Sequence, residues 1–134
     1  MGDLLVAYDG SEESKKALNK ASEMIKEGDN LIVLHVIPTY TEFAVLDPGM
    51  SMSKAREMLD SAIDNLKVRG INVIGTVKVG NIADEILKIS TEIKCTLIII
   101  GSTGKSTEKI GRFLLGSVAD KVARHATCPV LIVR

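Results

Sequence analysis

The chain has 134 residues, 46% of them apolar, and its 17 basic and 17 acidic side chains cancel. A neutral globular composition excludes a surface built for nucleic-acid phosphates or an anionic membrane, and the length predicts a single domain over residues 1–134. No apolar run approaches the ~18 residues of a transmembrane helix, and Met1-Gly2-Asp3-Leu4 lacks a basic signal-peptide region, so a cytoplasmic protein is expected.

Leu4-Leu5-Val6-Ala7 suits a short strand buried on both faces, and it gives way to Asp9-Gly10-Ser11, with Ser11 placed to cap a helix. Ala17, Leu18, Ala21, Met24 and Ile25 recur at helical spacing, and Gly28 reads as the helix stop. Leu31-Ile32-Val33-Leu34-His35-Val36 predicts a second buried strand ended by Pro38, with His35 packed against a helix. Residues 39–51, with Tyr40 and Phe43, show no period and read as a long connection, either folded back on the body or laid over a ligand as a flap. Ala55, Met58, Leu59, Ala62 and Leu66 mark a second helix that ends at Gly70.

The third strand differs from the first two. Ile71, Val73, Val77 and Val79 alternate with Asn72, Thr76 and Lys78, which predicts one wet face and a place at the sheet edge. Asn81 is expected to cap a third helix with a buried stripe of Ile82, Ile86, Ile89 or Ser90, and Ile93. Residues 96–100 are apolar apart from Thr96 and predict a central fourth strand. A last helix starts near Ser117, where Ser117-Val118-Ala119-Asp120 reads as a capping-box variant, and His125 in its last turn complements the dipole when protonated. Pro129-Val130-Leu131-Ile132-Val133 closes the chain as a fifth strand.

Strands alternating with helices imply an α/β fold: an open five-stranded parallel sheet with right-handed crossovers and helices on both faces. Ligands bind such sheets where the strand order reverses, beyond the carboxyl ends of the strands. Placing the first and fourth strands side by side, and the alternating third strand at the edge, gives the order 3-2-1-4-5. The competing order 2-1-3-4-5 would put the third strand in the middle. The fifth strand is then the other edge, and its apolar residues 130–133 predict a homodimer in which two fifth strands pair antiparallel across a two-fold axis. The same order brings Cys95 and Cys128 close together at the end of the sheet away from the ligand, where both are expected to stay reduced.

Gly101-Ser102-Thr103-Gly104, after an apolar strand and ahead of Gly116-Ser117, has the makings of a phosphate cradle: glycines admit an anion to backbone N–H groups, and a helix N-terminus adds unpaired donors. It is not a Walker A loop, because the glycine required five positions before Gly104 is Ile99. No poised base, nucleophile or metal cluster accompanies Asp9, so no catalytic residue and no metal ligand is assigned, and slow water-mediated hydrolysis is the most chemistry the pattern allows.

Taken together, Val6-Ala7-Tyr8-Asp9-Gly10-Ser11, Leu34-His35-Val36, residues 80–86, Gly101-Ser102-Thr103-Gly104, Leu114-Leu115-Gly116-Ser117-Val118 and the ending His125-Ala126-Thr127-Cys128-Pro129-Val130-Leu131-Ile132-Val133 resemble the universal stress protein family from end to end. The resemblance implies a Rossmann-like fold of the adenine nucleotide alpha hydrolase-like type, a cytoplasmic homodimer and a regulatory or stress-response role. In one branch of the family ATP is bound without rapid turnover. By that likeness Ala7 and Asp9 stand beside the adenosine, and Val36 offers backbone to the adenine. Gly101, Thr103, Gly104 and Lys105 shape the phosphate loop, and Gly116, Ser117 and Val118 close it. ATP is the implied ligand, with AMP or ADP as alternatives and Mg as a companion to the phosphates. Eleven residues, 105–115, separate Gly104 from Gly116 where the ATP-binding branch has nine. Two other readings stay open: a family member without nucleotide that works by contacts with a protein partner, and a slow ATPase. Asp9 and Ser117 also keep structural alternatives, each as a helix cap.

Overall fold

The computed structural model describes residues 2–39, 48–103 and 115–134. Its elements are β1 (Asp3–Ala7), α1 (Glu12–Met24), β2 (Asn30–Pro38), α2 (Pro48–Val68), β3 (Val73–Gly80), α3 (Ile82–Glu92), β4 (Leu97–Gly101), α4 (Ser117–His125) and β5 (Val130–Val133). The strands pair in parallel in the order β3-β2-β1-β4-β5, the arrangement expected from the alternation in β3 and the pairing of the first and fourth strands. No helix among the described residues is long and apolar enough to cross a membrane.

Strand side chains point alternately to the two faces, and each face has its own core. Leu4 and Val6 of β1 pack with Ala17, Leu18 and Ala21 of α1 and Leu59, Ile63 and Leu66 of α2. Leu5, on the opposite face, packs with Ile86 and Ile89 of α3 and Ala119 and Val122 of α4. Leu5 pairs with Ile32 on one side and Ile98 on the other, so β1 lies in the middle of the sheet and is buried on both faces. At the edge, Val73 is buried while Ile74, Lys78 and Val79 are exposed. Val79 was expected to face inward. It lies near the end of an edge strand, where no described strand pairs on its outer side. Gly75 lets α2 approach β3, since a Cβ there would sit 3.0 Å from Leu59.

The helix ends follow from their caps. Ser11 accepts a hydrogen bond from the Ser14 amide, and Asn81 accepts one from the Asp84 amide, so both expected N-caps are present. Replacing the exposed Asn81 with alanine is expected to cost about 1 kcal/mol, read as a lowered urea midpoint with an unchanged slope. Both alternatives for the α3 stripe, Ile89 and Ser90, are buried, and the Ser90 hydroxyl donates to the Leu87 carbonyl. Three boundaries depart from expectation. Helix α1 stops at Met24 with Ile25 as an extended cap; Gly28, at φ +91°, belongs to the turn beyond it. Helix α2 starts at Pro48, well before the first apolar residue of its stripe, because proline's fixed φ and missing N–H suit a first helical turn. Residues 40–47 of that connection, with Tyr40 and Phe43, lie outside the described residues, and so do both readings of it, folded back on the body or laid over a ligand. The third departure, at α4, belongs to the site.

Candidate functional site

The crossovers that leave β1 and β4 go to opposite faces, α1 to one and α4 to the other, and this opens a crevice at the carboxyl ends of the two strands. A cavity of about 380 Å³ occupies it. Ala7, Tyr8, Asp9, Ser11 and Ser14 form one wall, and Leu34, His35, Val36 and Pro38 of β2 form the floor. Ile82 and Ile86 of α3 add an apolar side. Gly101, Ser102 and Thr103 face Gly116, Ser117, Val118 and Ala119 across the mouth. Of the residues assigned from the sequence, Ala7, Asp9, Val36, Gly101, Thr103, Gly116, Ser117 and Val118 are thus brought together on one cavity. Gly104 and Lys105 lie outside the described residues. A more open depression along α1, from Glu12 to Glu23 and Val133, is rimmed by exposed lysines and glutamates and lacks the glycine turn.

Asp9 is not the cap of α1. Its Oδ1 accepts from the Ser11 amide at 2.9 Å, which holds the Asp9-Gly10-Ser11 turn, while Ser11 does the capping. Gly10, at φ +82°, supplies the left-handed residue that this turn needs. The Ser14 hydroxyl accepts from the Asp9 amide at 3.3 Å and donates to the Ser11 carbonyl at 2.9 Å, so the wall is cross-braced.

Ser117 is not a cap either. Gly116 is the N-cap of α4, it makes no side-chain cap bond, and Ser117 is the first helical residue, with its side chain exposed. Glycine at the cap leaves the first N–H groups of α4 without an acceptor from their own cap side chain. The Gly116 amide donates to the Ser102 carbonyl at 2.7 Å and ties the helix start to the glycine turn.

His35 is half-buried and lines the cavity. Its Nδ1 lies 2.8 Å from the Tyr8 carbonyl, which can only accept, so Nδ1 carries a proton. Burial pushes the Tyr8 hydroxyl above its ordinary value against the opposing Lys15 charge, with the Asp9 and Glu12 charges adding to the rise, and Tyr8 stays neutral.

Glu13 escaped the sequence reading. Its Oε2 accepts from the Ser102 hydroxyl at 2.6 Å, the Thr103 amide at 2.6 Å and the Thr103 hydroxyl at 2.9 Å. Burial favours its neutral form, but these three bonds and the Lys16 charge outweigh that and hold the carboxyl below its ordinary value. Part of the turn that reads as a phosphate cradle is therefore already bound to an internal carboxylate. A glutamate in a first helical turn is common for dipole reasons alone, and its partners stand 89 and 90 residues away. Nothing local in the sequence announced it. Among the described residues no group of three or more His, Cys, Asp or Glu could hold a metal ion.

Comparison with known proteins agrees with this architecture. The profile of the Universal stress protein family matches residues 1–134. A universal stress protein of Staphylococcus haemolyticus is 31% identical over 140 residues, covering 98% of this chain and 84% of that protein. Among solved structures, hypothetical protein MJ0577 superposes with a TM-score of 0.87 at 29% identity, over 98% of this chain and 94% of that one. The universal stress protein of Archaeoglobus fulgidus, solved in complex with dAMP, gives 0.76 at 23% identity over 100% and 98% of the two chains, a likeness of fold. With the family profile matched over its whole length and that relative aligned over nearly all of it, the chain belongs to the universal stress protein family.

Proposed function

We propose that the cavity binds an adenine nucleotide, ATP foremost with AMP and ADP as alternatives, and that the bound state regulates a protein partner in a stress response. The observation that carries this is the convergence of Asp9, Val36, the Gly101–Thr103 turn and the open start of α4 on one mostly apolar cavity. Asp9 takes the ribose hydroxyls or the base edge, the Val36 backbone meets the adenine, and Ile82 and Ile86 pack on its face. The phosphates meet the N–H groups of Ser117 and Val118, where the helix dipole favours an anion. A divalent cation such as Mg fits as a companion of the phosphates rather than as a resident of the protein. The dAMP complex of the Archaeoglobus protein lends support at the level of fold.

We read the site as one that holds nucleotide rather than turning it over, its described lining being apolar side chains, hydroxyls and a glycine turn beside Asp9 and His35. The half-buried strand β5, apolar and at the sheet edge, is the surface we assign to a homodimer.

The test begins with nucleotide released from the purified protein by denaturation and identified by mass spectrometry, followed by calorimetric titration of ATP and AMP. Asp9→Ala is expected to weaken binding roughly 10- to 100-fold, the worth of one hydrogen bond to a charged group. Absence of heat up to millimolar ATP and AMP would remove the proposal. Light scattering at micromolar protein tests the dimer, which a monomer mass overturns.

A further inference from the structure

We propose that Cys95 and Cys128 are a second chemical site, a dithiol that a hydroperoxide oxidises to an intramolecular disulfide joining the far ends of α3 and α4. The two sulfurs stand 3.5 Å apart. Both thiols belong to the core shared by α3 and α4, Cys95 buried and Cys128 half-exposed. The chain has no other cysteine, so neither thiol has a competing intramolecular partner.

The backbone holds them there. After α3, Ile93 is the C-cap and Lys94 takes a left-handed φ of +52°. The Lys94 amide donates to the Thr91 carbonyl and the Cys95 amide to the Ser90 carbonyl, the paired bonds that reverse a chain at a helix end. This turn returns Cys95 over the sheet as β4 begins. Cys128 follows α4 and precedes β5, and Ile98 pairs with Val130 two residues on, which fixes the two strands in register beside the thiols. On the surface Lys121 of α4 and Asp84 of α3 meet at 2.7 Å, a second tie between the same helices. A disulfide needs its sulfurs about 2 Å apart, so closure asks for a movement of about 1.5 Å from the observed separation, within the reach of side-chain torsions.

The half-exposed Cys128 is the thiol a peroxide can reach. Its thiolate attacks one peroxide oxygen, the O–O bond breaks, and Cys128 becomes a sulfenic acid as hydroxide departs. The Cys95 sulfur then attacks the Cys128 sulfur, the S–O bond breaks, and the hydroxyl leaves with the Cys95 proton as water. In sum two thiols and one hydrogen peroxide give one disulfide and two waters. Burial, together with the neighbouring thiol, pushes the Cys95 thiol up to about 12, which keeps it protonated and leaves the first step to Cys128.

The bond would close a loop of 33 residues that contains the glycine turn and all of α4. The experiment is exposure of the reduced protein to stoichiometric hydrogen peroxide, then denaturation in an alkylating reagent and intact-mass measurement. The expected product is a monomer lighter by about 2 Da with neither cysteine alkylated, restored by a dithiol reductant. Cys95→Ser is expected to stop at Cys128 oxygen adducts, and the oxidised wild type to melt roughly 5–15 °C higher than the reduced protein. Alkylation of both cysteines after treatment, disulfide-linked dimers as the main product, or a disulfide that lowers the melting temperature would each overturn the proposal. None of these readouts involves nucleotide, so its failure is separable from failure of the binding site.

Discussion

Glu13→Ala is expected to destabilise the protein by about 3 kcal/mol, well above the usual effect of a partly exposed helix residue. The substitution removes one acceptor from three donors at once, and the Ser102 and Thr103 side chains left behind are 1% and 8% exposed, with little access to water as a substitute. Urea unfolding at neutral pH measures it. Glu13→Gln keeps an acceptor oxygen without the charge and is expected to lose roughly half as much. The pH dependence separates the two causes. Because the folded-state pKa lies below the ordinary 4.5, the folded protein holds the carboxylate more tightly than the unfolded chain does. Its contribution is complete above the unfolded value and disappears as pH falls through the folded one. The stability gap between wild type and Glu13→Gln should therefore be constant near neutrality and narrow below about pH 4.5. A gap independent of pH would show that the charge contributes nothing.

Gly101→Val is expected to cost about 3 kcal/mol or more and Gly101→Ala about 1–3 kcal/mol, measured as lowered melting temperature. The requirement at this glycine is space. A Cβ at position 101 would lie 3.0 Å from the Glu13 Cβ and 3.1 Å from the Glu13 carbonyl carbon, and backbone cannot turn aside as a side chain can. Helix α1 would have to move away from β4, and Asp9, Ser11 and Ser14 would move with it. Loss of nucleotide affinity should accompany the loss of stability even though Gly101 has no side chain to offer a ligand. An alanine variant as stable as wild type would show that α1 is free to shift.

Much of this was legible in the chain. The wet positions Asn72, Thr76 and Lys78 placed β3 at an edge, and the rule that ligands bind where the strand order reverses placed β1 beside β4; the two together ordered the sheet, with Asp9 and Gly101 on one cavity. Asn81 was found as a cap because it stands alone before its apolar stripe, and Ser11 because it directly precedes α1, where Asp9 had been the competing candidate. Gly116-Ser117 offers two good caps in succession, and the sequence pattern favours the hydroxyl where the backbone uses the glycine. Pro48 did carry the signal for the start of α2, but the apolar stripe begins later and drew the boundary with it. His35 and Glu13 escaped for a shared reason. Their partners, the Tyr8 carbonyl and the Ser102–Thr103 turn, are near only after the sheet has assembled, and periodicity carries no information about such pairings.

The division of the core by the sheet has a further consequence. Leu4 and Val6 answer to α1 and α2 while Leu5 answers to α3 and α4, and the two groups of side chains are separated by a layer of backbone. Substitutions on opposite faces share few neighbours, so their costs should add, whereas those on one face should couple. The protein is in this sense two half-domains laid back to back. Drift in the packing of one face should leave the other undisturbed, whereas the crevice, which takes Ser11 and Ser14 from one side and Ile82 and Ile86 from the other, must answer to both.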